Sequence, residues 1–239
     1  LVMPEINPED LDDLPPGSIE FIKRPWYRWM STFRREEQRD SMFFEAAIRG
    51  YQAACSFADF QVGRLIDALE AEGLDRNTII VLWSDHGYHL GEKDHWEKFI
   101  LYEKTTHVPL IFVVPGLERG KRIYSPAGLI DIYPTLAELC DLPLPEHLEG
   151  ESLVPILNGS SSKTGSPVIT TYGFNNHAIR SEEYRYIRLA DGSEELYHTA
   201  RDPHEWNNLA GEPSNRSIMD ELAAWIPEQN RKPVPDVRR

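Results

Sequence analysis

The stretch Ser84-Asp85-His86-Gly87 closes an apolar run and sets a carboxylate, an imidazole and a residue without Cβ at one strand end. Those three groups can offer a hard oxygen and a nitrogen to a cation, and room for a close neighbour. In open α/β sheets ligands gather outside the carboxyl ends of the strands, which is where Asp85 and His86 stand. The competing reading is structural, with Asp85 capping the next turn and His86 a satisfied polar residue. The connection that follows, Gly87 to Lys98, carries His89, His95, Trp96, Lys93 and Lys98. Long connections at strand ends are usually functional. An ammonium is a point charge with three donors, suited to a sulfate or phosphate oxygen.

These residues need elements to hold them. Residues 1–18 carry Pro4, Pro8, Pro15, Pro16 and Gly17 among acidic residues, which fits an extended surface arm better than a helix. Between Arg39 and Glu72 the series Phe44, Ala47, Ile48, Tyr51, Cys55, Ala58, Val62, Leu65, Ile66, Leu69 has helical spacing, and Gly73 is its expected terminator. The run Thr78 to Trp83 is apolar throughout and largely β-branched, as a strand buried on both faces should be, and Pro109 to Val114 reads as a second such strand. Asp131 is placed to cap a helix running to about Cys140, with Pro134 in its first turn. A short apolar piece, Leu153 to Leu157, precedes a polar linker from Ser160 to Ser166. Beyond the linker come four short strands, 168–172, 178–181, 184–189 and 195–198, with a hairpin turn at Asp191-Gly192 and a final helix around Ile218 to Ile226. The expected architecture is α/β: a main unit over residues 1–165, then a subdomain over 166–239 with a four-stranded antiparallel sheet and a C-terminal helix.

With 25 basic and 39 acidic side chains among 239 residues the formal charge is −14, which opposes non-specific binding to nucleic acid or anionic lipid. An anionic substrate therefore needs a local basic pocket. No apolar run approaches the ~20 residues of a membrane-spanning helix. Cys55 and Cys140 both fall in apolar helical patterns and read as buried free thiols.

Taken together, Ser84-Asp85-His86-Gly87, Leu90-Gly91-Glu92, Trp96, Lys98 and Thr106-His107-Val108-Pro109-Leu110-Ile111-Phe112 resemble the sulfatases of the alkaline-phosphatase superfamily. Asp131-Ile132-Tyr133-Pro134-Thr135-Leu136, Leu196-Tyr197, Asp202-Pro203 and Asn208-Leu209 follow in the same order, so the likeness covers nearly the whole chain. Val62-Gly63-Arg64-Leu65 and the Asp-His pair are most similar to iduronate-2-sulfatase-like and choline-sulfatase-like members. The resemblance implies that residues 1–165 are the C-terminal part of a doubly wound alkaline-phosphatase-like sheet, and that the activity is that of a Ca²⁺-dependent sulfuric ester hydrolase acting on a sulfated carbohydrate or a small sulfate ester. It makes Asp85 and His86 metal ligands and Lys98 the sulfate contact. Imidazole is softer than the ligands Ca²⁺ usually selects, which keeps zinc open. The family's nucleophile segment, Cys-x-Pro-Ser-Arg or its Ser variant, whose first residue becomes formylglycine, does not occur here. The expectation is therefore the C-terminal half of a sulfatase of roughly twice the size, with the formylglycine in the other half. Such a piece should be inactive alone, prone to associate, and weak in holding calcium.

Further candidates are less defined. Asn175-Asn176-His177 with Arg180 could contact substrate, Arg180 by pairing a uronic carboxylate, or could be turn residues and a surface-sheet arginine. His107 lines a pocket or makes a core hydrogen bond. Lys23, Arg24, Trp26, Tyr27, Arg28 and Trp29 mix basic and aromatic groups that suit sugar stacking or an interface. His89 and His95 read as rim residues, and Glu92 as a group orienting Lys98 or the loop backbone. Two other functions compete: a zinc-dependent phosphomonoesterase or phosphodiesterase of the same superfamily, and a non-catalytic binding subunit. By resemblance the location would be periplasmic, secreted or lysosome-like.

Overall fold

The computed structural model describes residues 1–23, 42–118 and 120–232. The proline-rich start is not an extended arm: residues 8–13 turn back on themselves and a helix, α1, runs Pro16–Lys23. Pro16 opens it, where a missing N–H costs nothing. Leu14, Phe21 and Ile22 then bury against Ile100, Leu101 and Tyr102. Proline content signalled a loop, while the short apolar spacing that makes the helix worth forming was concealed inside it.

The long helix α2, Met42–Ala71, ends as expected at Gly73, whose φ of 67° is the left-handed geometry that favours glycine. Only Phe44 and Ile48 of its apolar series are buried, whereas Phe57, Phe60 and Leu65 are exposed. Cys55 is exposed as well, and so is Cys140, contrary to the expectation of buried thiols. Cys55 lies on the uncovered length of α2, and Cys140 lies one residue past its own helix.

Strand β1, Ile80–Trp83, pairs antiparallel with β4, Leu110–Val113, in the register Ile80↔Val113 to Trp83↔Leu110. Between them lie the small hairpin of β2, His89–Leu90, and β3, Trp96–Glu97, and the one-turn helix α3, Glu103–Thr106. β1 is not buried on both faces. Leu82, Trp83 and Ile111 are exposed, Trp83 by 49%, because no other described strand extends this two-stranded ladder.

Helix α4, Ile132–Leu139, follows a turn at Leu129–Asp131. Asp131 does not cap it; its carboxylate accepts from the backbone N–H of Gly128 (2.8 Å) and of Glu151 (2.9 Å). Thr135 in turn accepts from Leu153 N–H at 2.8 Å and ties the helix to α5, Val154–Leu157.

The last sheet is an antiparallel meander of β5 (Val168–Thr171), β6 (His177–Arg180), β7 (Tyr184–Arg188) and β8 (Glu194–His198), with Gly192 at φ 91° in the final hairpin turn. Strand alternation sends Ile179, Tyr186 and Leu196 to one face, where Met219 and Leu222 of α6, Arg216–Ala223, cover them. Ala178, Ile187 and Tyr197 face the other way, onto Leu14, Phe21, Ile22 and Leu101. The largest buried cluster thus joins residues from both sides of position 165. Among the described residues no helix is long and apolar enough to cross a membrane.

Candidate functional site

Beyond β1 the chain turns sharply, with the Ser84 hydroxyl donating to His86 O at 2.9 Å. Gly87 N–H donates to Thr105 O and Tyr88 N–H to Lys104 O. A Cβ on Gly87 would lie 2.0 Å from Lys104 O, so the close approach that docks the α3 segment on the strand end requires glycine here. Glu92 accepts from Leu90 N–H at 2.7 Å, orienting the loop backbone.

Lys98 sits between two residues in left-handed geometry, Glu97 at φ 82° and Phe99 at φ 71°. His95 reaches Lys98 O at 2.7 Å and Ile22 O at 3.2 Å, linking this turn to α1. The Lys98 ammonium lies 2.6 Å from His86 Nε2 and donates to it, which puts the imidazole proton on Nδ1, 2.8 Å from Gly87 O. Asp85 Oδ1 stands 3.7 Å from the same His86 nitrogen, and its side chain is 74% exposed. Asp85, His86 and Lys98 open on one cavity of about 230 Å³, whose other walls are Phe99, Ile100, Tyr172 and Thr105, Thr106, Thr170 and Thr171. Asp85 presents an oxygen to a cation, and His86 presents Nε2 only once the Lys98 ammonium releases it. Among the described residues no group of three or more His, Cys, Asp or Glu is placed to hold a metal. The pair is thus a partial donor set, short of the six to eight oxygens that Ca²⁺ takes.

His107, Arg180 and His177 do not line this cavity. His107 and Arg180 meet instead on Glu103, which His107 Nδ1 approaches to 3.1 Å and Arg180 Nε to 3.2 Å, and which Arg185 also binds. Burial alone would raise the Glu103 pKa; the His107 hydrogen bond and the two guanidinium groups hold it well below the usual carboxylate range. The same hydrogen bond raises His107. Arg180 is spent on Glu103 and on the carbonyls of Ser181 and Glu182. His177 is buried, bonded through Nδ1 to Thr171 Oγ1 at 2.8 Å, and burial lowers its pKa.

His89 and His95 are buried and not at a rim. His89 packs inside the loop with Nδ1 2.6 Å from Thr105 Oγ1, and burial holds it neutral. Arg24, Trp26, Tyr27, Arg28 and Trp29 lie outside the described residues; Lys23 ends α1.

Sequence reasoning missed the scaffold beneath the site. Lys93, 2% exposed, forms an ion pair with Asp10 at 2.6 Å and donates to Glu205 O, while Arg185 pairs with Glu205 at 2.7 Å. Glu205 also accepts from Glu103 N–H at 2.8 Å, the residue that starts α3. The Glu103/His107 spacing of four was a readable helical signal. Nothing local marks Asp10 as the partner of Lys93, 83 positions away, or Glu205 as the partner of Glu103, 102 positions away.

Two family models match the chain: Sulfatase over residues 22–142, and N-sulphoglucosamine sulphohydrolase, C-terminal, over residues 91–232. A sulfatase of Formosa agariphila is 41% identical over 95% of this chain, which covers 44% of that protein. Among solved structures, a 2-O GAG sulfatase superposes with a TM-score of 0.80 at 26% identity, over 94% of this chain and 51% of that one. The phosphonate monoester hydrolase of Agrobacterium radiobacter superposes with a TM-score of 0.61 at 28% identity, over 70% of this chain and 37% of that one. The chain therefore spans about half the length of the proteins it matches.

Proposed function

The chain belongs to the sulfatase family, and from that premise we propose that it supplies part of the active site of a sulfuric ester hydrolase acting on a sulfated carbohydrate. The observation that carries this reading is the convergence of Asp85, His86 and Lys98 on one cavity. Lys98 grips the sulfuryl oxygens, and its ammonium neutralises charge that grows on them as the ester bond breaks. Asp85 and His86 would hold a cation, calcium by family kinship; such an ion supplies Lewis-acid polarisation of the same oxygens. His107, Arg180 and His177 act around the site: Arg180 and His107, anchored on Glu103, fix α3, whose threonines line the cavity, and His177 orients Thr171.

The formylglycine nucleophile and the remaining metal ligands belong to a further stretch of protein of similar size, docked on the exposed apolar faces of α2 and of β1 and β4. Val62-Gly63-Arg64-Leu65 and the Asp-His pair favour an iduronate-2-sulfatase-like subgroup, and kinship favours action outside the cytoplasm. The test is Lys98→Ala in the complete enzyme: turnover of a sulfate ester should fall about 10²–10³-fold with folding intact. Unchanged turnover removes Lys98 from the site.

A second reading, a phosphoester or phosphonate ester hydrolase, draws on the likeness to the Agrobacterium phosphonate monoester hydrolase. Two equivalents of bound zinc and faster turnover of phosphate esters would favour it; one calcium and faster sulfate ester turnover favour the first.

A further inference from the structure

One wall of the cavity has no part in gripping a sulfate. Phe99 and Tyr172 line it beside Lys98, with ring centroids 5.7 Å apart and planes tilted by 37°. Tyr172 is braced from behind by Phe21 of α1, edge-on at 5.9 Å. The Phe99 ring centroid lies 5.5 Å from the Lys98 ammonium on the same cavity, so an anion held there from the cavity side has the ring beside it. Phe99 keeps this position through a backbone φ of 71°, which a bulky side chain adopts only where its surroundings enforce it. Apart from Ile100, the remaining walls are hydroxylic, from Thr105, Thr106, Thr170 and Thr171. Thr105, Thr106 and Thr171 each have one partner, and a hydroxyl retains further capacity. A cavity of about 230 Å³ is smaller than the usual drug-sized pocket and suits a single ring.

A pyranose sulfate matches this lining. Its C–H face is apolar, its edge carries hydroxyls, and its ester group is a compact anion. We propose that Phe99 and Tyr172 form the wall against which the apolar face of a pyranose ring packs while Lys98 holds the sulfate borne by that ring. The proposal rests on the reading of Lys98 given above and extends it to the part of the ligand that selects sugars over other sulfate esters. Phe99 and Tyr172 are specificity residues in this account, and the threonines meet the ring hydroxyls.

The test compares binding of methyl glucopyranoside 6-sulfate and ethyl sulfate to the chain, by titration followed in NMR spectra. The wild-type chain should prefer the sugar sulfate. Phe99→Asn, which tolerates the left-handed backbone while deleting the ring, should lower that preference about tenfold. Tyr172→Leu should lower it in the same direction, and decides the matter if Phe99→Asn fails to fold. Lys98→Ala should weaken both ligands together. No preference in the wild type, or a preference untouched by the aromatic substitutions while Lys98→Ala weakens both ligands, overturns the aromatic wall alone. If Lys98→Ala weakens neither ligand, the sulfate reading falls and the sugar subsite with it.

Discussion

Lys93 and Lys98 stand in the same loop and have opposite fates. Lys98 reaches the cavity; Lys93 is buried between Asp10 and Glu205 O, with the rings of Tyr102 and Tyr197 about it at 5.2 and 5.1 Å. Breaking such a pair leaves a buried charge uncompensated, so Asp10→Ala should destabilise the chain by about 3–5 kcal/mol in urea unfolding. Joining Asp10→Asn to Lys93→Met should recover most of that loss. His107 gives a pH prediction. Its pKa is raised in the folded chain by the Glu103 hydrogen bond, so its stabilisation is complete below the unfolded value near 6.5 and fades as pH rises through the folded value. Glu103 is depressed, so its contribution is present above the ordinary range and is lost in acid, as pH falls toward its folded value. His107→Gln should flatten the stability profile on the alkaline side of about pH 6.5 and leave the acid limb carried by Glu103. At this scale Asp85, His86 and Lys98 were legible, because strand-end chemistry and the family motif are local. Asp10 and Glu205 were not, because a buried carboxylate is recognisable only once its distant partner is in place.

Among the elements, the strand-end turn is held by contacts to α3 that tolerate no side chain at Gly87. Gly87→Ala would thrust a methyl into Lys104 O; a loss of about 1–3 kcal/mol in stability should accompany weakened sulfate binding, read by thermal unfolding and titration. The helix Met42–Ala71 and the strands of the last sheet follow from period alone, since 3.6-residue and two-residue alternations are written directly in the apolar positions. α1 was hidden because five proline and glycine residues around a short apolar spacing outweigh it in any local reading. Asp131 showed the reverse error: a good capping residue at a helix start serves the loop from Gly128 to Glu151 instead.

For the whole molecule, periodicity states what asks to be buried and says nothing of what covers it. The apolar series of α2 and the β1–β4 pair were read as core, yet Tyr51, Leu65, Ile66, Trp83 and Ile111 lie open, as do Phe57 and Phe60 beside that series. A surface of that character favours association. The chain should therefore self-associate with rising concentration in sedimentation velocity, and Phe57→Glu with Phe60→Glu should reduce it. The C-terminal sheet, covered on one face by α6 and on the other by α1 and the residues after Lys98, should by contrast be the best protected region in hydrogen exchange.

The central claim is that the Lys98 ammonium and the Asp85-His86 strand end act on one sulfate group. Calorimetric titration of 4-nitrophenyl sulfate into the wild-type chain and into Lys98→Ala addresses it most directly. Saturable binding that weakens about tenfold or more in the variant, with unfolding behaviour unchanged, is the predicted result; equal affinity in the two proteins would contradict it.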